Sequence, residues 1–161
     1  MKSESDEWKE LIGDTFYFYE EKVEKDSIPI SKTKENMEPI LKVPFIGLYF
    51  AASWCPPCQN FTPKLITAYK EVNKNGKIIE IVLITADHKP EDFQKYRIES
   101  GMPWIAIPFE REDKREDLSV KYKVDGIPTL VILNSKRDLL CNDATEDIGD
   151  IGVEGLRKYL K

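Results

Sequence analysis

Long apolar runs are missing from this 161-residue chain, and with them any stretch of the roughly 20 residues that a membrane-spanning helix requires. Basic charge is not in excess. With 24 Lys and Arg against 29 Asp and Glu the net charge is −5, so composition recommends neither nucleic acid nor an anionic membrane as partner. The mild acidity reads as solubility. Cysteine is sparse: three residues do not build a disulfide framework, and a close pair in a reducing compartment points to catalysis or metal binding. No repeat, low-complexity tract or linker marks a boundary, so one domain over residues 1–161 is expected. The N-terminus, Met1 to Glu7, is polar and acidic with no apolar signal segment behind it, and a cytosolic address is the expectation.

What the chain does have is Trp54-Cys55-Pro56-Pro57-Cys58. The run from Phe45 to Ala52 before it is short, apolar and aromatic-rich, which reads as a buried strand. After it, Phe61, Leu65, Ile66, Tyr69 and Val72 recur at spacings of three and four and mark one face of a helix that Gly76 would stop. The cysteine pair therefore sits where a strand hands over to a helix, the setting of a redox motif.

Along the rest of the chain, Thr15 to Tyr19 and Ile28-Pro29-Ile30 suggest an N-terminal hairpin. Lys34 to Leu41 is read as a helix stopped before Pro44. Ile78 to Thr85 is a strand buried on both faces. Helices are expected over Asp92–Glu99, Glu116–Tyr122 and Val153–Leu160, and a hairpin joins Thr129–Leu133 to Asp138–Cys141 through Asn134-Ser135-Lys136. The acidic segment Asn142 to Asp150 reads as a solvated loop. This alternation implies an α/β fold with a mixed sheet covered by helices on both faces.

The chemistry follows from the motif's position. The thiolate, not the thiol, attacks a disulfide. Cys55 falls at the helix N-terminus, where free N–H groups and the helix dipole favour negative charge. Pro56 and Pro57 suit the first turn, which needs no N–H from them. Cys58 lies one turn in and is more shielded. Cys55 is thus the expected nucleophile and Cys58 the resolving thiol, with Trp54 flanking Cys55. Ile127-Pro128 precedes an apolar strand, and taken alone such a bond is ordinarily trans.

The CxxC after a strand, Pro63 five residues beyond Cys58, and Ile127-Pro128-Thr129 some seventy residues on together resemble the thioredoxin fold. Leu48 to Cys58, Phe61 to Leu65 and Met102 to Phe109 narrow the resemblance to the tryparedoxin and nucleoredoxin branch. The resemblance implies a three-layer thioredoxin-like sandwich, residues 34–161 as its core and 1–33 as an extension with a hairpin. It implies a helix kinked at Pro63 and a cis Ile127–Pro128 bond facing the disulfide, with Ile127 offering backbone hydrogen bonds to an extended substrate. Trp54, Pro56, Pro57, Ile127, Pro128 and Trp104 would line the groove, Trp104 having core packing as its alternative. The implied activity is dithiol–disulfide exchange without a bound cofactor or metal. It would reduce client proteins such as peroxiredoxins and be recharged by trypanothione, glutathione or a flavoprotein reductase. A redox-regulated binding module is the second class.

Departures from the branch are specific. Gln59 stands where arginine is usual, removing a charge that would support a thiolate or an acidic reductant. Ala86-Asp87-His88 replaces a Trp-Asp-Glu run, and Tyr49 occupies the place of the buried aspartate of thioredoxins proper. A proton-transfer role then falls to Asp87 or to solvent. Cys141 reads as a small buried hydrophobe or a third redox thiol, and His88 as a solvated loop residue. Cys55, Cys58, Cys141 and His88 match the count of a Cys3His zinc site, but two prolines inside the pair and the missing second close pair weigh against it. Gln59, standing where histidine would be needed, excludes haem attachment.

Overall fold

A computed structural model describes residues 1–19 and 32–161. Its elements in chain order are α1 (Glu4–Ile12), β1 (Thr15–Tyr17), β2 (Thr33–Glu35), α2 (Glu38–Leu41), β3 (Phe45–Ala51), α3 (Pro56–Val72) and β4 (Ile79–Thr85). They continue with α4 (Pro90–Glu99), β5 (Ile105–Ala106), α5 (Glu112–Lys121), β6 (Thr129–Asn134), β7 (Leu139–Cys141), α6 (Thr145–Ile151) and α7 (Val153–Arg157).

The seven strands form one mixed sheet in the order β2-β1-β5-β4-β3-β6-β7. β3 runs parallel to β4, Phe45 opposite Ile79 through Ala51 opposite Thr85, and antiparallel to β6. All seven residues of β4 are buried, which is why its sequence is continuously apolar rather than alternating. The period-2 pleat of β3 sends Ile46, Leu48 and Phe50 to one face and Tyr49 and Ala51 to the other. The first face is closed by Trp8, Ile12, Ile40 and Leu118 from α1, α2 and α5. The second is closed by Leu65, Tyr69, Phe93, Ile148 and Leu156 from α3, α4, α6 and α7. This is the expected three-layer sandwich. Gly47 lies in β3 where a Cβ would stand 3.2 Å from Leu130 and 3.3 Å from Ile81, so the sheet and its neighbours close down on a residue without a side chain.

Several elements differ from the sequence expectation. The acidic N-terminus forms α1, started by a capping box in which Ser3 and Asp6 exchange backbone and side-chain hydrogen bonds. Trp8 and Ile12, four residues apart, are its buried stripe; the Trp8 indole N–H donates to Ser135 O at 3.1 Å. β1 pairs with β2, while the Ile28–Ile30 arm expected for the hairpin lies outside the described residues. Lys34 and Glu35 accordingly belong to β2, and the helix predicted from Lys34 begins only at Glu38. β1 also joins β5, Tyr17 opposite Ala106, so the hairpin extends the main sheet. The segment read as a solvated loop contains α6, because Ala144 and Ile148 are fully buried beneath its acidic face. α7 then doubles back so tightly that a Cβ on Gly155 would stand 2.2 Å from Asp147 O. Among the described residues no helix is long and apolar enough to cross a membrane.

Candidate functional site

β3 delivers the chain to the C-terminal end of the sheet, and α3 takes it away. Between them Cys55 is the N-cap of α3, with extended backbone (φ −103°, ψ 104°). Its Sγ accepts from Cys58 N at 3.2 Å and its carbonyl from Gln59 N at 3.1 Å. Pro56 and Pro57 fill the first turn, where their missing N–H groups leave nothing unsatisfied. Cys55 and Cys58, Cα atoms 5.2 Å apart, are joined as a disulfide. Cys58 is wholly buried and Cys55 is 4% exposed. Of the two, only Cys55 keeps any exposure.

The Ile127–Pro128 bond is cis, as the resemblance implies. Ile127 O lies 3.7 Å from Cys55 Sγ, so the loop before β6 closes one side of the sulfur. Beyond it a groove of about 680 Å³ runs past Lys123, Gly126, Ile127, Pro128, Leu139 and Asn142. On the other side Trp54 is 55% exposed and stacks on His88, rings 6.1 Å apart and nearly parallel. His88, expected in a solvated loop, thus belongs to the rim of the site.

Asp87 is buried, and its carboxylate is already engaged. Oδ1 accepts from Ser53 N (3.0 Å) and Ser53 Oγ (2.6 Å), and Oδ2 from Thr85 Oγ1 (2.9 Å). The Gln59 amide donates to Ser53 O at 2.6 Å. These bonds tie the turn before Cys55 to the end of β4 from below and to α3 from above. Ser53 gave no signal in the sequence, and Gln59 stood out there only for the charge it lacks.

Beneath Cys58 lies a hydroxyl cluster. Thr62 Oγ1 donates to Cys58 O at 2.9 Å and lies 2.7 Å from Tyr49 Oη and 2.8 Å from Tyr96 Oη. A hydroxyl has one proton and two lone pairs, so with Thr62 donating to Cys58 both tyrosines donate to Thr62. Burial drives the Tyr49 pKa well above its ordinary value, so Tyr49 stays a neutral donor. Where thioredoxins carry an acid, this chain has a phenol locked onto the helix turn that holds Cys58. Thr62 and Tyr96 were not singled out from sequence, since their link spans 34 residues.

Of the two readings of Trp104, core packing is the one its surroundings match: it is 1% exposed, its ring edge-on to Tyr49 at 6.1 Å and Tyr69 at 5.4 Å. Cys141 is partly buried in β7 opposite Ile132. Among the described residues, no three His, Cys, Asp or Glu side chains are grouped to hold a metal ion.

Comparison with known proteins agrees with this geometry. The thioredoxin-like family model matches residues 44–139, more than half of the chain. The nucleoredoxin of Xenopus laevis is 38% identical over 104 residues, 65% of this chain and 25% of that protein. The tryparedoxin of Trypanosoma brucei brucei is 43% identical over 90 residues, 56% of this chain and 60% of that protein. The chain therefore spans about a quarter of the nucleoredoxin length and three fifths of the tryparedoxin. Tryparedoxin I of Leishmania major superposes with a TM-score of 0.68 at 34% identity, covering 78% of this chain and 82% of that one. A cysteine pair on the first turn of α3, facing a cis-proline loop, stands in a matching fold, and the chain belongs to the thioredoxin-like family of oxidoreductases, in its tryparedoxin and nucleoredoxin branch.

Proposed function

We propose that the protein is a dithiol–disulfide oxidoreductase that reduces disulfides of client proteins, peroxiredoxins among the candidates. The observation that carries this reading is a linked cysteine pair at a helix N-terminus beside the Ile127–Pro128 loop, Cys55 keeping 4% exposure under Ile127 O and Cys58 none. Reduced Cys55, as thiolate, attacks one sulfur of a client disulfide. A mixed disulfide forms and the other client sulfur leaves as thiolate, taking up a proton from solvent. Cys58 then gives up its proton and attacks Cys55 Sγ, closing the ring and releasing the second client thiolate. Two electrons pass from the pair to the client. An external thiol reductant (trypanothione, glutathione or a flavoprotein reductase) reopens the ring by the reverse exchange.

Trp54, Pro56, Pro57, Ile127 and Pro128 are the surfaces a client meets in this reading. A cytosolic address, where thiols are kept reduced, supports the reductive direction. Asp87 is read as the tether of Ser53, since three donors already occupy its oxygens.

Redox titration with alkylation and intact mass tests the reading. The wild type should show one reversible two-electron step. Cys55→Ser should lose it together with all turnover, and Cys58→Ser should accumulate the mixed disulfide. Full turnover by Cys55→Ser ends the proposal, while a client that still binds the double Cys→Ser variant favours a binding module.

A further inference from the structure

A second groove, of about 370 Å³, opens on the other side of Ile127 and runs along α5. Its floor is apolar: Phe50 and Ile84 from the sheet, with Val124 and Ile127 at one end. Its wall is α5, from which Glu112, Glu116 and Ser119 face it at helical spacing. The charges of α5 are not disposed evenly. Its flanking Arg111 forms a two-pronged pair with Asp113 at 3.0 Å, and Lys114 reaches away to Glu10 O at 2.5 Å. Arg115 donates to Phe109 O and Thr85 O and lies over the Phe109 ring at 4.6 Å, fixed in the wall. Glu112, Glu110 and Asp87 all attract it, so its single charge is outnumbered. Among the described residues neither Glu112 nor Glu116 has an ion-pair partner, and both are exposed. The result is a trough with an oily floor and a carboxylate rim, sharing Ile127 with the sulfur site.

We infer that this trough selects clients carrying an arginine or lysine beside an apolar residue next to the disulfide. A long basic side chain suits it on both counts, its methylene stem over Ile84 and Val124 and its charged head between Glu112 and Glu116. Ile127 is shared by the two sites, so a segment held at Ile127 O with its sulfur at Cys55 would bring a neighbouring side chain to the mouth of the trough. The inference rests on the oxidoreductase reading and adds the chemistry of the client to it. Exposed rim charges act on encounter and orientation, so the selection is salt-dependent.

The test uses the full chain and two disulfide-cyclised peptides, identical except that the residues beside the reacting cysteine are Leu-Arg in one and Leu-Glu in the other. With dithiothreitol as reductant at low ionic strength, kcat/KM should favour the Arg peptide by about fivefold. In Glu112→Gln/Glu116→Gln the ratio should fall to about one, and in Glu112→Lys/Glu116→Lys it should invert, a result that misfolding does not produce. A wild-type ratio of one, or a preference that survives in both variants, overturns the inference. Hydroxyethyl disulfide, too small to reach the trough, separates the two proposals. If the wild type fails to turn it over as well, the oxidoreductase reading falls and the inference with it. If it is turned over while the peptides are not distinguished, only the inference falls.

Discussion

Two carboxylates are buried at opposite ends of β4, and they are used differently. Glu80, at the N-terminal end, is 2% exposed; it accepts from Tyr69 Oη at 3.1 Å and Ile81 N at 2.9 Å and pairs with Lys77 at 2.5 Å. Burial still raises its pKa above the ordinary glutamate value, against the pull of Lys77 and its donors. Asp87, just past the C-terminal end, has among the described residues no cation at hydrogen-bond range and accepts from the neutral donors Ser53 and Thr85. The first acid fastens α3 to the sheet at the end remote from the sulfurs. The second shapes the turn that presents Cys55. Burial of an acid near a strand end is thus no guide to catalysis by itself; what decides is which chain segments its oxygens hold.

The comparison is sharpened most by removing the remote acid. Glu80→Ala leaves the Tyr69 hydroxyl without its acceptor in a buried setting, while Lys77, half exposed, returns to water. Stability should fall by about 2 kcal/mol in urea unfolding, with turnover at 25 °C preserved. Loss of turnover with unchanged stability would join the two ends functionally and break the contrast. Asp87→Asn comes next. Its amide NH2 confronts a donor where an oxygen stood, so about 1–2 kcal/mol of stability is lost. kcat/KM should fall severalfold through the displaced Ser53 turn, with the pH–rate profile unshifted. A shifted profile would restore Asp87 as a proton carrier.

The smallest effect is a pH dependence. A carboxyl group whose folded pKa lies above its unfolded value binds more protons when folded, so stability declines as pH rises from the unfolded value through the folded one. For Glu80 that window starts near 4.5 and extends upward. The stability of wild type minus that of Glu80→Gln should decline across it and then level off. A difference that instead rises with pH below about 4.5 would mean that Lys77 outweighs burial.

How legible these features were in the sequence depended on the range of the forces that make them. β3, β4 and the start of α3 were readable because apolar period and proline placement act over a few residues. The cis bond at Pro128 was readable only through the family resemblance. α1 was missed because Trp8 and Ile12 are two apolar residues in a charged stretch, and their burial depends on a sheet far along the chain. β2 carries Thr33, Lys34 and Glu35, all exposed, and is a strand only because β1 pairs with it. In the site, the sulfurs and prolines are local, whereas Ser53–Asp87, Thr62–Tyr96 and Trp54–His88 are contacts between distant segments. Trp104 is a motif residue that packs inside the core, the alternative its sequence reading carried.

The N-terminal hairpin has a bearing on self-association. Without it the sheet would end at β5, two residues wide, beside the apolar β4. With it, one outer border is β2, three exposed residues including Lys34 and Glu35, and the other is β7, three residues with a register shift against β6. Short, charged or irregular borders give a second chain little backbone to add to, although β7 exposes Leu139 and Leu140. A strongly β-forming interior thereby carries its own protection against stacking into fibres, and proteolytic loss of the hairpin is the event that would remove it.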